Sequence, residues 1–160
     1  MLSLFLGVAL AFSIVDEAKL YKDRYGVNSP DTKITDNHGR GRTDLYGTRN
    51  MRAVLHGVMY RGGANNVYFS PPRDNRNPLT TTGLVNLCRE GFGNSIYLYS
   101  TNYHTAPPHI YCESEPGEMD YLQIDPIAKT EKILDLVYKR IKGRSDGPIY
   151  AHCWNGWHYG

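Results

Sequence analysis

One stretch restricts the possible folds more than any other. It is "EMDYLQIDPIAKTEKILDLVYKRIKGRSDGPIYAHC", residues 118 to 153. "EMDYLQID" reads as a strand. Asp125 is placed to cap the helix that follows, and Pro126 suits its first position, where a missing N–H costs nothing. Ile133, Leu134, Val137 and Ile141 make one apolar helix face. Lys139, Arg140 and Lys142 stand in the last turn, where cations favour the helix dipole, and Gly143 ends the run. "GPIYAH" is then a short buried strand leading into Cys153. A strand, a helix and a second strand joined this tightly call for parallel pairing.

The preceding segments extend the pattern. "RAVLHGVMYRG" resembles a short hairpin or bent strand pair interrupted by Gly57. "NNVYFSPPRDNRNP" reads as a surface loop. "LTTTGLVNLCREGFG" spaces Leu79, Leu84, Leu87 and Cys88 close to a helical period, with Gly91 as its stop. "NSIYLYS" is a strand, and a long loop is expected from Thr101 to Gly117. The fold class is therefore α/β, with a largely parallel central sheet flanked by helices. Ligands of such sheets sit at the carboxyl ends of the strands, where Cys153 lies.

The front of the chain is expected to stand apart. Residues 2 to 15, "LSLFLGVALAFSIV", are uncharged and apolar, too short to span a bilayer, which takes ~20 residues. They fit the apolar region of a secretory signal, so residues 1–13 are expected to be a signal peptide and the protein to be exported, periplasmic or secreted. No Lys or Arg precedes the run, and a buried first element of a cytoplasmic protein is the alternative. Residues 14–50, polar and broken by glycine, read as an irregular extension, and residues 51–160 as the domain itself. The formal charge is +2 with scattered basic residues, which argues against a nucleic-acid partner; no stable membrane span is expected. Cys88, Cys112 and Cys153 leave at least one thiol unpaired in an oxidising compartment. A Cys88–Cys112 bridge suits an exported protein and three thiols suit a cytosolic one.

The chemistry concentrates in "HCWNGWHYG". A loop after a strand, with Gly156 permitting close backbone approach, can turn several N–H groups inward as an anion nest. The same dipoles favour a Cys153 thiolate. A thiolate among phosphate-binding amides is set to attack phosphorus and form a phosphocysteine.

"GPIYAHCWNGW" resembles the active-site strand and loop of the cysteine-based protein tyrosine phosphatase superfamily, closest to its dual-specificity branch. That family's pattern is His-Cys, two residues, Gly, two residues, Arg. His152, Cys153 and Gly156 match it, and upstream "GVMYRGGANN" looks like the family's early strand with an Arg-Gly turn. The resemblance implies Cys153 as nucleophile, His152 as its supporting partner and Asp125 as general acid, with Asp120 and Glu118 as weaker substitutes. It implies that Trp154, Asn155, Gly156, Trp157, His158 and Tyr159 cradle the phosphate. The implied partner is a phosphorylated small molecule or a phosphoprotein, with no metal and no organic cofactor.

Two departures stand against full activity. Tyr159 occupies the place of the family's arginine, so a bidentate cation is replaced by one neutral donor. The family's helix after the loop is missing from this sequence, as if the domain were truncated. The expectation is therefore an impaired phosphatase, with a non-catalytic phosphate-binding module or an inactive fragment as the alternatives. His38, Arg40 and Arg42 are candidates to restore positive charge, against the simpler reading of a solvated basic loop. A zinc site at His152, Cys153 and His158 is disfavoured, because adjacent strand residues face opposite ways.

Overall fold

The computed structural model describes residues 13–64, 78–100, 103–114 and 117–157. Helix α1 (Ile14–Tyr25) precedes the hairpin β1 (Thr48–Leu55) and β2 (Met59–Ala64). Then come α2 (Thr81–Arg89), β3 (Asn94–Tyr97), β4 (His109–Tyr111), β5 (Glu118–Gln123), α3 (Thr130–Ile141) and β6 (Ile149–Cys153). The strands form one sheet in the order β1-β2-β6-β3-β5-β4. Its inner four strands run parallel, and the hairpin strand β1 and the short β4 close the edges antiparallel.

The order explains where the helices go. The connection from β2 through α2 to β3 steps across β6, and the connection from β5 through α3 to β6 steps back across β3. Crossovers share one hand, so opposite steps place their helices on opposite faces. Leu84 and Leu87 of α2 accordingly pack with Tyr60, Tyr121 and Tyr150. Ile133, Leu136 and Val137 of α3 cover Ile96, Leu98, Ile149 and Ala151 on the other side. The largely parallel sheet flanked by helices is as the sequence suggested.

Several expectations need correction. Residues 14–50 are not an irregular extension. Ser13 Oγ accepts the Asp16 N–H and the Asp16 carboxylate accepts the Ser13 N–H, a reciprocal cap that starts α1. Tyr21, Val27, Ile34 and Leu45 are buried in the main core, and β1 begins at Thr48. The fold unit thus includes α1. Helix α3 starts at Thr130, because Asp125 and Pro126 form a separate turn. Its buried face uses Leu136 in place of Leu134 and Ile141, which are exposed. The expected loop from Thr101 to Gly117 contains β4. The Arg61-Gly62 pair lies within β2 and makes no turn.

Two links tie the layers. Cys88 at the end of α2 bonds to Cys112 beyond β4, with a Cα–Cα distance of 6.1 Å, which realises the first of the two cysteine arrangements. Arg140 of α3 is buried: its Nε donates to Gly57 O at 3.0 Å, Nη1 to Ser145 O at 3.2 Å, and the guanidinium pairs with Glu17 of α1. No helix among the described residues is long and apolar enough to cross a membrane. Residues 1–12 of the expected leader and 65–77 of the expected loop lie outside the described residues.

Candidate functional site

The centre of the sheet ends in the residues singled out above. In register, His152 of β6 lies between Gly62 of β2 and Tyr97 of β3. Cys153 follows at the carboxyl end of this central strand, buried and outside the disulfide. Strands that diverge in their connections leave a crevice at this end of a parallel sheet.

His152 is fully buried and held at both ring nitrogens. Tyr121 Oη lies 2.8 Å from Nε2 and itself accepts the Leu79 N–H at 3.0 Å, so its hydroxyl proton points to the imidazole. That bonding assigns the remaining ring proton to Nδ1, which donates to Cys153 O at 3.1 Å. The ring stacks on Tyr121 and Tyr150, 5.8 Å from each. Burial pushes its pKa down to about 4, against the smaller effect of the bond to Cys153 O. Burial also raises the Tyr121 and Tyr150 hydroxyls well above 10. The imidazole is neutral at physiological pH, and its work is to fix the Cys153 carbonyl.

After Cys153 the backbone returns over β2, where Asn155 bridges Gly63 antiparallel. Trp154 O accepts Ala64 N–H at 2.9 Å. Asn50 Nδ2 donates to Asn155 O at 3.2 Å and to Gly156 O at 3.3 Å, and Arg61 Nη1 donates to Gly156 O at 3.2 Å. Trp157 N–H turns back to Asn155 Oδ1 at 3.2 Å. Asn50 does this from a left-handed backbone (φ 50°) at a bulge in β1, a conformation that asparagine tolerates better than most residues. Of the two glycines of β2, Gly63 makes room for the return and Gly62 for Tyr150. A Cβ on Gly63 would sit 2.4 Å from Trp154 O, and one on Gly62 would sit 2.5 Å from Tyr150 Oη.

Asp125 follows β5 at the same end of the sheet, two strand spacings or ~10 Å across from β6. Its Oδ1 accepts the N–H groups of Ala128 at 3.0 Å and Ile127 at 2.9 Å, and those bonds hold its carboxyl below the usual value. In this conformation it caps its own turn as a carboxylate. Glu118 and Asp120 sit at the opposite, amino end, since Asp120 pairs in register with Asn94 and through it with Ile149. They are not placed to replace Asp125. Asp120 instead meets His109 at 2.7 Å.

Nor does Arg42 serve the site. It donates to Arg24 O at 2.7 Å and lies over the Tyr25 ring, fastened to the end of α1. His38 and Arg40 belong to a turn organised by the Asp36 carboxylate. Arg52 and Arg61, paired across the hairpin, lie beside the loop. With Asp31, Asn50, Gly156 and Trp157 they line a polar cavity of about 210 Å³. His158 and Tyr159 lie outside the described residues. Among the described residues no three His, Cys, Asp or Glu side chains converge as metal ligands do.

Sequence reasoning missed Tyr121, Asn50, Arg52 and Arg61. The one available signal was Gly62-Gly63 inside a strand pattern, which marks close backbone approach. Comparison of the chain with protein-family models, curated proteins and solved structures found no match.

Proposed function

We propose that the chain is a cysteine-dependent phosphatase-like domain acting on a phosphate monoester, exported, and slowed by the residue at position 159. The observation that carries this reading is the pairing of Cys153 at the end of the central parallel strand with a neutral His152 locked onto its carbonyl. It is the arrangement that the resemblance to dual-specificity phosphatases implies, and the disulfide suits an oxidising compartment. The partner is a phosphorylated small molecule or a phosphoprotein, and the residues invoke no cofactor.

The reaction balances in two steps. Cys153 Sγ, as thiolate, forms a bond to phosphorus while the ester P–O bond breaks, and Asp125 gives its proton to the leaving oxygen. Water then attacks the phosphocysteine, the S–P bond breaks, phosphate leaves, and Asp125 takes the proton from the water. The bonds from Ala128 and Ile127 to Oδ1 favour the carboxylate, so the acid form, protonated at Oδ2, has to form against them. Trp154 to Tyr159 would hold the phosphate oxygens, with Tyr159 giving one neutral donor where the family places a guanidinium.

Hydrolysis of an aryl phosphate tests the proposal. Slow turnover is expected from the parent chain, a rise on the order of 10²-fold in Tyr159→Arg, and none in Cys153→Ser. Turnover that survives Cys153→Ser overturns it. A second reading, phosphate binding without chemistry, is favoured by the commitment of Asp125 to its own turn. It predicts vanadate binding with no hydrolysis.

A further inference from the structure

The outer edge of β5 is open at its carboxyl end. β5 pairs with β3 from Asp120 to Gln123, but with β4 only from Glu118 to Asp120. The Asp120 and Ile124 N–H groups donate to Gly93 O and Tyr97 O on the β3 side, both at 3.1 Å. Alternation therefore turns the main-chain groups of Tyr121 and Gln123 outward. Tyr121 is satisfied there: its N–H donates to Pro108 O at 2.8 Å, and its carbonyl accepts from Tyr103 Oη. Gln123 is not, since no described residue bonds its main-chain N–H or C=O. Two prolines are the cause. Three residues further along, the register of His109 opposite Asp120 would set Ala106 against Gln123. Pro107 and Pro108 have no N–H to give a ladder, and the Ala106 N–H turns back to Tyr103 O at 2.8 Å.

A cavity of about 800 Å³ lies along this edge, between Tyr103 and Pro108 on one side and α3 on the other. That is the size of a ligand site. Leu122, Ile124 and Leu136 give it an apolar wall. Its charged lining is acidic in balance: Asp120, Glu131 and Asp135 stand against Lys132 and His109. Asp120 is engaged by His109 and Asp135 by Lys139, each at 2.7 Å, whereas Glu131 forms no ion pair among the described residues. Helix α3 joins two parallel strands and so runs back against β5. Glu131, in its first turn, thus lies toward Ile124, and Leu136 toward Leu122.

We propose that this edge docks an extended peptide segment of a protein partner, added antiparallel to β5 where β4 leaves off. One residue of the segment exchanges both main-chain hydrogen bonds with Gln123, as a hydrogen-bonded antiparallel pair does. Its two neighbours then face α3, by the alternation that puts Leu122 and Ile124 there. The residue before it meets Glu131 and is basic. The residue after it meets Leu122 and Leu136 and is apolar. Gln123 stands two residues before Asp125, so the docked segment lies at the end of the sheet that carries Cys153. The inference does not depend on the chemistry of Cys153, and its probes carry no phosphate.

The test is a proton–nitrogen NMR titration of the full chain with the peptide acetyl-Thr-Lys-Thr-Leu-Thr-amide. The Gln123 amide is expected to shift downfield and to exchange its hydrogen more slowly as the peptide binds. N-methylation of the central threonine removes the donor to Gln123 O and is expected to weaken binding about three- to tenfold. Gln123→Pro removes the edge N–H, which the pairing with β3 does not use, and is expected to abolish binding; circular dichroism checks its fold. Glu131→Lys is expected to weaken binding about two- to fivefold. If Gln123→Pro does not fold, the N-methylated peptide on the parent chain decides alone. No binding, or binding indifferent to N-methylation, overturns the proposal. Hexylamine saturating the same cavity and excluding the peptide would make it a small-molecule pocket, and self-association lost in Gln123→Pro would give the edge to a second copy; either overturns it.

Discussion

Acidification should loosen this protein through His152. The ring is fully buried, stacked between two tyrosines, and accepts a proton only at about pH 4 when folded, against 6.5 as the ordinary value. Between those two values the unfolded chain binds a proton that the folded one refuses. Stability therefore rises with pH across that window. The contribution of neutral His152 is complete above pH 6.5 and falls by ~1.4 kcal/mol for each pH unit below it. The loss is roughly 2 kcal/mol by pH 5 and about 3 kcal/mol by pH 4, where it levels off. Against a total stability of ~5–15 kcal/mol for a domain, that is a large share. The assay is urea unfolding from pH 7 to pH 4 for the parent and for His152→Gln, which keeps a neutral amide but cannot titrate. The parent's curve is expected to be steeper by one proton across the window. A His152 ring resonance that titrates by NMR with a midpoint near 6.5, or equal slopes in both proteins, would refute the argument.

Two other outcomes follow from the packing. Gly63→Ala puts a methyl group against Trp154 O and Asn155 Cα, both rigid backbone, and is expected to destabilise the fold by about 1–3 kcal/mol; thermal unfolding and weakened vanadate binding would report it. Reducing the Cys88–Cys112 bond, which closes a separation of 24 residues, is expected to remove roughly 3 kcal/mol, read as a lower Tm in dithiothreitol that Cys88→Ala with Cys112→Ala reproduces.

The sequence was most legible where periodicity and punctuation agreed. The order of strands and helices from Arg52 to Cys153, the short β4 apart, could be read because apolar spacing, Pro126 near a start, and Gly91 or Gly143 past ends all pointed the same way. Helix α1 was hidden because its charged residues outnumber its buried ones, and its place rests on Tyr21 meeting a core assembled from distant residues. Cys153 and His152 were visible as a local string. The partners that give His152 its proton arrangement were not, since Tyr121 and Leu79 reach it only through the parallel pairing of β5, β3 and β6. Arg52 and Arg61 likewise gain meaning only from a hairpin register that includes a bulge at Asn50. Asp125 was legible as a cap, but the turn that it closes stops short of the helix.

The Arg140 contact with Glu17 carries a further implication for how the molecule comes together. It joins one helix of each layer around the β1–β2 turn, between residues that emerge far apart during synthesis. The first helix must therefore wait for nearly the whole chain before its carboxylate finds its cation, which places that closure late in folding. A polypeptide begun after Tyr25 would leave the cation with Asp146 and the Gly57 and Ser145 carbonyls to offset its burial, and would be less stable for the loss of the Glu17 carboxylate. An edit at one end of the chain would thus be felt beneath the strand that carries the thiol at the other.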